Sequence, residues 1–285
     1  MTILAAGYQA SWLTVLQAGF MRNAFIAGSI VALASGLIGY FVIVRGNAFA
    51  AHALAHIGFP GAIGAVLIGA PVTAGLLVFT LGGALAIGAL GKRAAEREIA
   101  TGTVLAFATG LGVLFASLAT RSASTVTNVL FGNLLAIAPS QLVVFGGFML
   151  VLVVALAAVY RPLLFASADP QVAEAKGLPV RTLGVVFMVL LALVITMAVQ
   201  VVGTLLLFGL VVTPAATALM LTARPSAVMA VGAAVSLLSV WIGLVLSAVF
   251  NLPPSFFIIS VATLAWLVTW GLTRLTAHTV RSRLG

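Results

Sequence analysis

Cysteine is absent from this chain, and charge is scarce: four acidic side chains (Glu96, Glu98, Asp169 and Glu174) stand against thirteen Lys and Arg in 285 residues. Without cysteine there is no disulfide framework and no thiolate metal site. Charged residues make up 6% of the sequence, whereas an ordinary soluble domain carries about 25%. That excludes a water-exposed globular surface, a coiled coil and a disordered chain. The net charge of +9 comes from scattered residues rather than a basic patch, which argues against a nucleic-acid partner. A nucleotide site is missing too. Gly91-Lys92 would fit the end of a phosphate-binding loop, but Ala86 stands where its first glycine belongs and Arg93 where Ser or Thr is required. No Ser-His or paired-Asp constellation falls within the apolar stretches, so the chain has no enzymatic centre of its own. Any ATP it uses must be hydrolysed by another chain.

Hydrophobic residues fill the space that charge leaves, at 63% of the sequence. This is the composition of an all-α, polytopic membrane protein. The rare charges mark its spans. Residues 23–44, 99–120 and 122–160 each leave room for one helix, and 46–91, 182–223 and 225–273 each for two. The 46–91 gap divides near Gly69-Ala70-Pro71. A hydrocarbon core of about 30 Å needs roughly 20 apolar residues per helix, so about nine spans fit. Counting crossings places Arg45, Lys92, Arg93, Arg97, Arg161, Lys176, Arg181, Arg224, Arg274, Arg281 and Arg283 on one face, and only Arg22 and Arg121 on the other. The basic-rich face is therefore cytoplasmic. Residues 1–21 read as an interfacial segment or a partial span, and 22–285 as a single transmembrane domain. Glu96 and Glu98 read as part of a solvated cytoplasmic turn. Glycines such as Gly58, Gly61, Gly64, Gly82, Gly83 and Gly88 suit close helix packing in lipid.

Three stretches carry candidate chemistry. His52 and His56 are spaced i, i+4, so on a helix both imidazoles share a face and can reach one metal ion. They lie seven and eleven residues beyond Arg45, about 10 and 16 Å into the membrane, where ionisable side chains mark function. A lone histidine there would more readily bond a neighbouring helix; a spaced pair just before a helix break at Pro60-Gly61 points to a metal. His278 belongs to the basic tail. The second stretch, 169–179 within a cytoplasmic loop of about 166–181, reads as a short helix that a soluble partner could grip. Asp169 caps it, Pro170 opens it, Gly177 stops it and Pro179 prevents its continuation. In the third, Gly203 divides the 182–223 gap into two short helices. Pro214 removes a backbone donor inside the second, with Thr213 or Thr217 able to compensate. Gln200, Thr213 and Pro214 line a pathway or form a kinked packing helix.

In segment order and spacing these stretches resemble the membrane subunits of zinc- and manganese-importing ABC transporters. The family pattern of an aspartate, three residues, then His-Ala-x-Leu-Pro-Gly is similar to His52 through Gly61. Phe131-Gly-Asn-Leu-Leu-Ala, Tyr160-Arg-Pro-Leu, the Asp169-x3-Ala173-x3-Gly177-Leu-Pro loop, Gln200-Val-Val-Gly, Pro214-Ala-Ala-Thr-Ala and Asn251-Leu-Pro-Pro are further likenesses, over about residues 20–270. The resemblance implies the type II ABC importer fold in a bacterial cytoplasmic membrane, crossed several times by each chain. It also implies a homodimer whose two copies enclose a translocation path, two cytoplasmic ATPase subunits carrying ATP, and a periplasmic or lipid-anchored metal-binding protein. His56 carries over onto the family's metal-contacting histidine, and Asp169, Ala173, Glu174 and Gly177 onto its coupling helix. His52 departs from the pattern, occupying the aspartate position. Because imidazole suits zinc and oxygen suits manganese, the expected substrate is Zn2+, with Mn2+ or iron as the alternative and no cofactor bound by the chain itself. An ATP-independent metal channel or carrier is the rival of a different class.

Overall fold

The structure, a computed structural model, describes the backbone of residues 12, 14–90, 94–118 and 123–284, with side chains except at 94–97, 123–125 and 276–284. Most of the expected N-terminal interfacial segment, together with Lys92, Arg93 and Arg121, lies outside the described residues, as do the side chains of Glu96, Arg97, His278, Arg281 and Arg283. Residues 14–17 are helical, and extended Ala18 separates them from the first span. The elements are α1 (Gly19–Val44), α2 (Ala48–Leu67), α3 (Val72–Leu90), α4 (Ala94–Leu118), α5 (Ala123–Phe131), a 3-10 turn (Leu134–Ala136), α6 (Pro139–Ala168), α7 (Pro170–Ala175), α8 (Val180–Val202), α9 (Leu207–Val211), α10 (Thr213–Leu221), α11 (Pro225–Phe250) and α12 (Pro254–Leu284). Among the described residues there is no strand. Among those residues eight helices are long and apolar enough to cross a membrane: α1 to α4, α6, α8, α11 and α12.

A ninth crossing follows from how these helices lie. Arg45, just past α1, sits over the Phe187 ring near the start of α8. Along α1, Gly36 faces Ala233 and Gly28 faces Val240, so α11 runs antiparallel to it and also begins at the Arg45 end. The chain leaves α8 at the opposite end and must return before Pro225. It does so through residues 203–221, where α10 passes Gly39 of α1. The 182–223 gap therefore holds one full helix of 23 residues and one broken crossing, not two short helices. Pro214 also differs from expectation. It stands in the first turn of α10, where its missing N–H costs nothing, rather than inside a longer helix.

Where the crossing breaks, each of two unwound stretches is satisfied by the helix end beside the other. The N–H groups of Thr204 and Leu205 donate to the carbonyls of Val129 and Leu130 at 3.0 and 3.2 Å, and the Asn133 N–H donates to Gln200 O at 3.1 Å. Backbone exposed to lipid would leave such groups unpaired at several kcal/mol each. Gly132 and Gly203, at φ +77° and +83°, let the two strands of chain touch. A Cβ on Gly203 would sit 2.5 Å from the Gly132 nitrogen.

Other boundaries also move. Pro60-Gly61 does not break α2, which continues to Leu67. The first span starts at Gly19, α4 is already helical at Glu98, and α6 runs past Arg161 to Ala168. These helix ends project beyond the apolar runs by continuing their backbone hydrogen bonds, which charge does not interrupt. The packing itself depends on small residues. Gly61 and Gly75 bring α2 and α3 together, and Gly36 and Ala233 bring α1 and α11 together, with no room for a Cβ at Gly61, Gly75 or Gly36. Gly36→Val should lower the thermal midpoint of the detergent-solubilised protein by several degrees, in line with the roughly 1–3 kcal/mol that overpacking costs. Gly146→Val, which faces open space, should leave the midpoint within about a degree.

Candidate functional site

Helix α2 is buried on most of its circumference, with twelve of its twenty residues inaccessible. Its α3-facing side is set by Gly58 against Thr80 and Leu76, and by Gly61 against Gly75 and Phe79. The opposite side stays open as a stripe at helical spacing: Phe49 is 47% exposed, and His52, His56 and Phe59 are half-buried. The two imidazoles lie with ring centroids 4.7 Å apart and planes at 72°. The structure thus brings His52 and His56 together on the accessible face. Pro60 adds one polar feature. Lacking an N–H, it cannot donate to the His56 carbonyl four residues back.

Two nitrogens do not complete a coordination shell. Among the described residues no group of three His, Cys, Asp or Glu could hold a metal ion. Neutral imidazoles also leave an ion's charge uncompensated, and a closed tetrahedral site needs four protein ligands. The remainder must come from water, from backbone oxygens or from another chain.

The second candidate is α7, at the Arg45 end of the bundle. Asp169 Oδ1 accepts from the backbone N–H groups of Gln171 and Val172 at 3.1 and 3.0 Å, capping the helix before Pro170. At the other end, Gly177 takes φ +80°. Its N–H donates to Glu174 O at 2.9 Å, and the Leu178 N–H donates to Ala173 O at 3.1 Å. That pair of bonds is a Schellman stop. Ala173 is buried and anchors the helix, whereas Gln171, Val172 and Glu174 are exposed. The four residues singled out from sequence thus cap, anchor, present and close one short exposed helix.

The third set is not brought together with the histidines. Gln200 lies on the α3 side, where its Oε1 accepts from Thr73 Oγ1 at 2.7 Å and Gln141 Nε2 at 3.1 Å. Its Nε2 donates to Thr196 O at 2.9 Å. It ties α3, α6 and α8 at one node beside a cavity of about 190 Å³, which Asn128, Asn133 and Gln141 also line. Thr213 is half-buried, and its carbonyl accepts from Thr217 Oγ1 at 2.9 Å. Pro214 is buried in the packing of α10. Thr73, Asn128, Gln141 and the buried Thr80–Thr196 hydroxyl pair, 2.8 Å apart, escape the sequence reading, and Asn133 enters it only within a likeness. The signal that could have found them is an amide or hydroxyl inside an apolar run, which needs a partner.

Residues 17–272 match the family model described as the ABC 3 transport family. The chain is 34% identical over 258 residues to the manganese transport system membrane protein MntC of Listeria innocua serovar 6a, covering 90% of this chain and 91% of that protein. It is 32% identical over 250 residues to the MntC of Halalkalibacterium halodurans, covering 87% and 86%. Among solved structures, PsaBC from Streptococcus pneumoniae in complex with Fab superposes with a TM-score of 0.81 at 27% identity, covering 92% of this chain and 95% of that one.

The geometry of α7 makes a local prediction. Gly177→Val places a β-branched residue at positive φ, so hydrogen exchange of the 169–178 amides should accelerate about tenfold. Gly177→Asn, which tolerates the left-handed region, should keep most of the protection.

Proposed function

This chain belongs to the ABC 3 transport family, and from that membership we propose that it is the permease subunit of an importer of divalent transition metal. The observation that carries the reading is the open stripe of α2, which offers two imidazoles 4.7 Å apart and leaves the rest of the shell unfilled. A second copy related by a two-fold axis supplies the missing pair. Four nitrogens then surround an ion on the axis, with Phe49 and Phe59 bounding the stripe. The ion moves past them because neutral ligands hold it less tightly than carboxylates do. A separate cytoplasmic ATPase grips the exposed face of α7 and powers the cycle. A metal-binding protein delivers the ion from the other side of a bacterial cytoplasmic membrane.

Manganese is the favoured substrate, because relatives covering most of the chain are named for manganese transport. This replaces the zinc expectation drawn from His52. Ligand softness alone does not decide it, since water and backbone oxygens complete the sphere of an ion in transit. Zinc stands as the second reading on one observation: His52, an imidazole where the family pattern has an aspartate.

Uptake by proteoliposomes holding the permease, its ATPase and its binding protein tests both readings, with manganese and zinc in competition. Wild type should prefer manganese, and His56→Ala, which removes one imidazole from each copy, should lose at least about tenfold of its uptake, since even a partner behind a ligand costs about that much. His52→Asp should retain transport and raise the manganese-to-zinc ratio. Preference of the wild type for zinc would make zinc the substrate. Wild-type uptake by both His52→Ala and His56→Ala would remove the pair from the path.

A further inference from the structure

A cleft of about 600 Å³ opens at the Arg45 end of the bundle, between α7 and the corner joining α1 to α2. Pro170 and Glu174 line it from α7, Asn47 from the corner, and Arg181 from α8. One side chain reaches across its wall. Arg45 Nη1 donates to Ser167 Oγ at 3.0 Å, and Ser167 Oγ donates in turn to Leu163 O at 2.6 Å. The serine's single proton is committed to α6, so its lone pair is held toward the arginine. The Arg45 guanidinium also lies 5.3 Å from the centroid of the Phe187 ring and passes Gly184, where an added Cβ would meet it at 3.5 Å. Ser167 is two residues before Asp169, the cap of α7.

The other end of this connection is stiff. The Gly46 N–H donates to Ile43 O at 3.0 Å and the Asn47 N–H to Val42 O at 2.8 Å, while Asn47 O accepts from the Ala51 N–H at 2.9 Å. Asn47 is 3% exposed. The corner thus turns from α1 into α2 with its backbone bonds closed, and His52 lies about 6 Å along α2 from its first residue, Ala48.

We propose that Arg45 is a positioning residue that carries displacement of α7 to the histidine helix through Ser167. A guanidinium suits this role because it donates in a fixed plane while its face stacks on an aromatic ring. Pulling the α6–α7 junction away from the bundle draws on the corner, and the corner turns the first two turns of α2. The proposal rests on the reading of α7 as the ATPase contact.

The test is metal delivered per ATP hydrolysed, measured in proteoliposomes of the full complex for Ser167→Ala, Arg45→Ala and Arg45→Lys. Assembly is followed by copurification of the ATPase. Ser167→Ala and Arg45→Ala should lower the ratio on the order of tenfold, the scale of one charge-assisted hydrogen bond, with the complex intact and hydrolysis continuing. Arg45→Lys, which keeps a donor, should recover part of it. Hydrolysis and transport falling together, or a ratio equal to wild type in Ser167→Ala, would overturn the strut. Gly177→Val separates the two levels of inference. If it uncouples while Ser167→Ala does not, only the strut fails. If neither uncouples, the docking role of α7 fails and the strut with it.

Discussion

The close approach of α2 to α3 at Gly61 and Gly75 is the contact on which the candidate site depends. Lipid tails are as apolar as leucine, so burying side chains gives these helices no drive to associate. What holds them is dispersion at short range and the few polar groups they share. With no Cβ at either glycine the backbones meet, and Thr80 of α3 lies against Gly58. One side of α2 is thereby fixed against the bundle. The side left over carries Phe49, His52, His56 and Phe59. Had the glycines been larger, the stripe would not be held at a defined angle, and two imidazoles at i, i+4 would have no reason to face the same opening.

Polar side chains close the structure where the helices break. Gln200 joins Thr73 and Gln141 through one carbonyl oxygen while its backbone oxygen takes the Asn133 N–H. Two interrupted segments, near Gly132 and Gly203, thus have their hydrogen bonding completed by the helix ends beside them. This node ties α3, α6 and α8 together. At the Arg45 end a cleft and an exposed six-residue helix leave room for motion. The polar node and the cleft lie at opposite ends of the bundle.

Much of this was legible in the residues. Sparse charge marked out most of the spans, because a charge is costly inside a bilayer. The cap and stop of α7 were readable because Asp169, Pro170 and Gly177 act on their immediate neighbours. The pairing of His52 with His56 followed from helical period alone. What was not legible required distant partners. Nothing near Gly203 says that its unwound chain will lie on Val129, so the ninth crossing read as one ordinary short helix. Nothing near Pro60 says that neighbouring helices will hold α2 straight through it. Gln200 seemed a lining residue because its partners, Thr73 and Gln141, are 127 and 59 positions away. The bond from Arg45 to Ser167 spans 122 positions and joins two features that the sequence presents separately.

The central claim is that an ion in transit is held by the imidazoles on the open stripe of α2. Pulsed electron paramagnetic resonance of Mn2+ trapped in the assembled transporter reads its ligands directly. Nitrogen modulation from imidazole should be present in the wild type and absent from the His52→Ala, His56→Ala double variant, with water signals taking its place. A wild-type spectrum showing oxygen ligands alone would contradict the account.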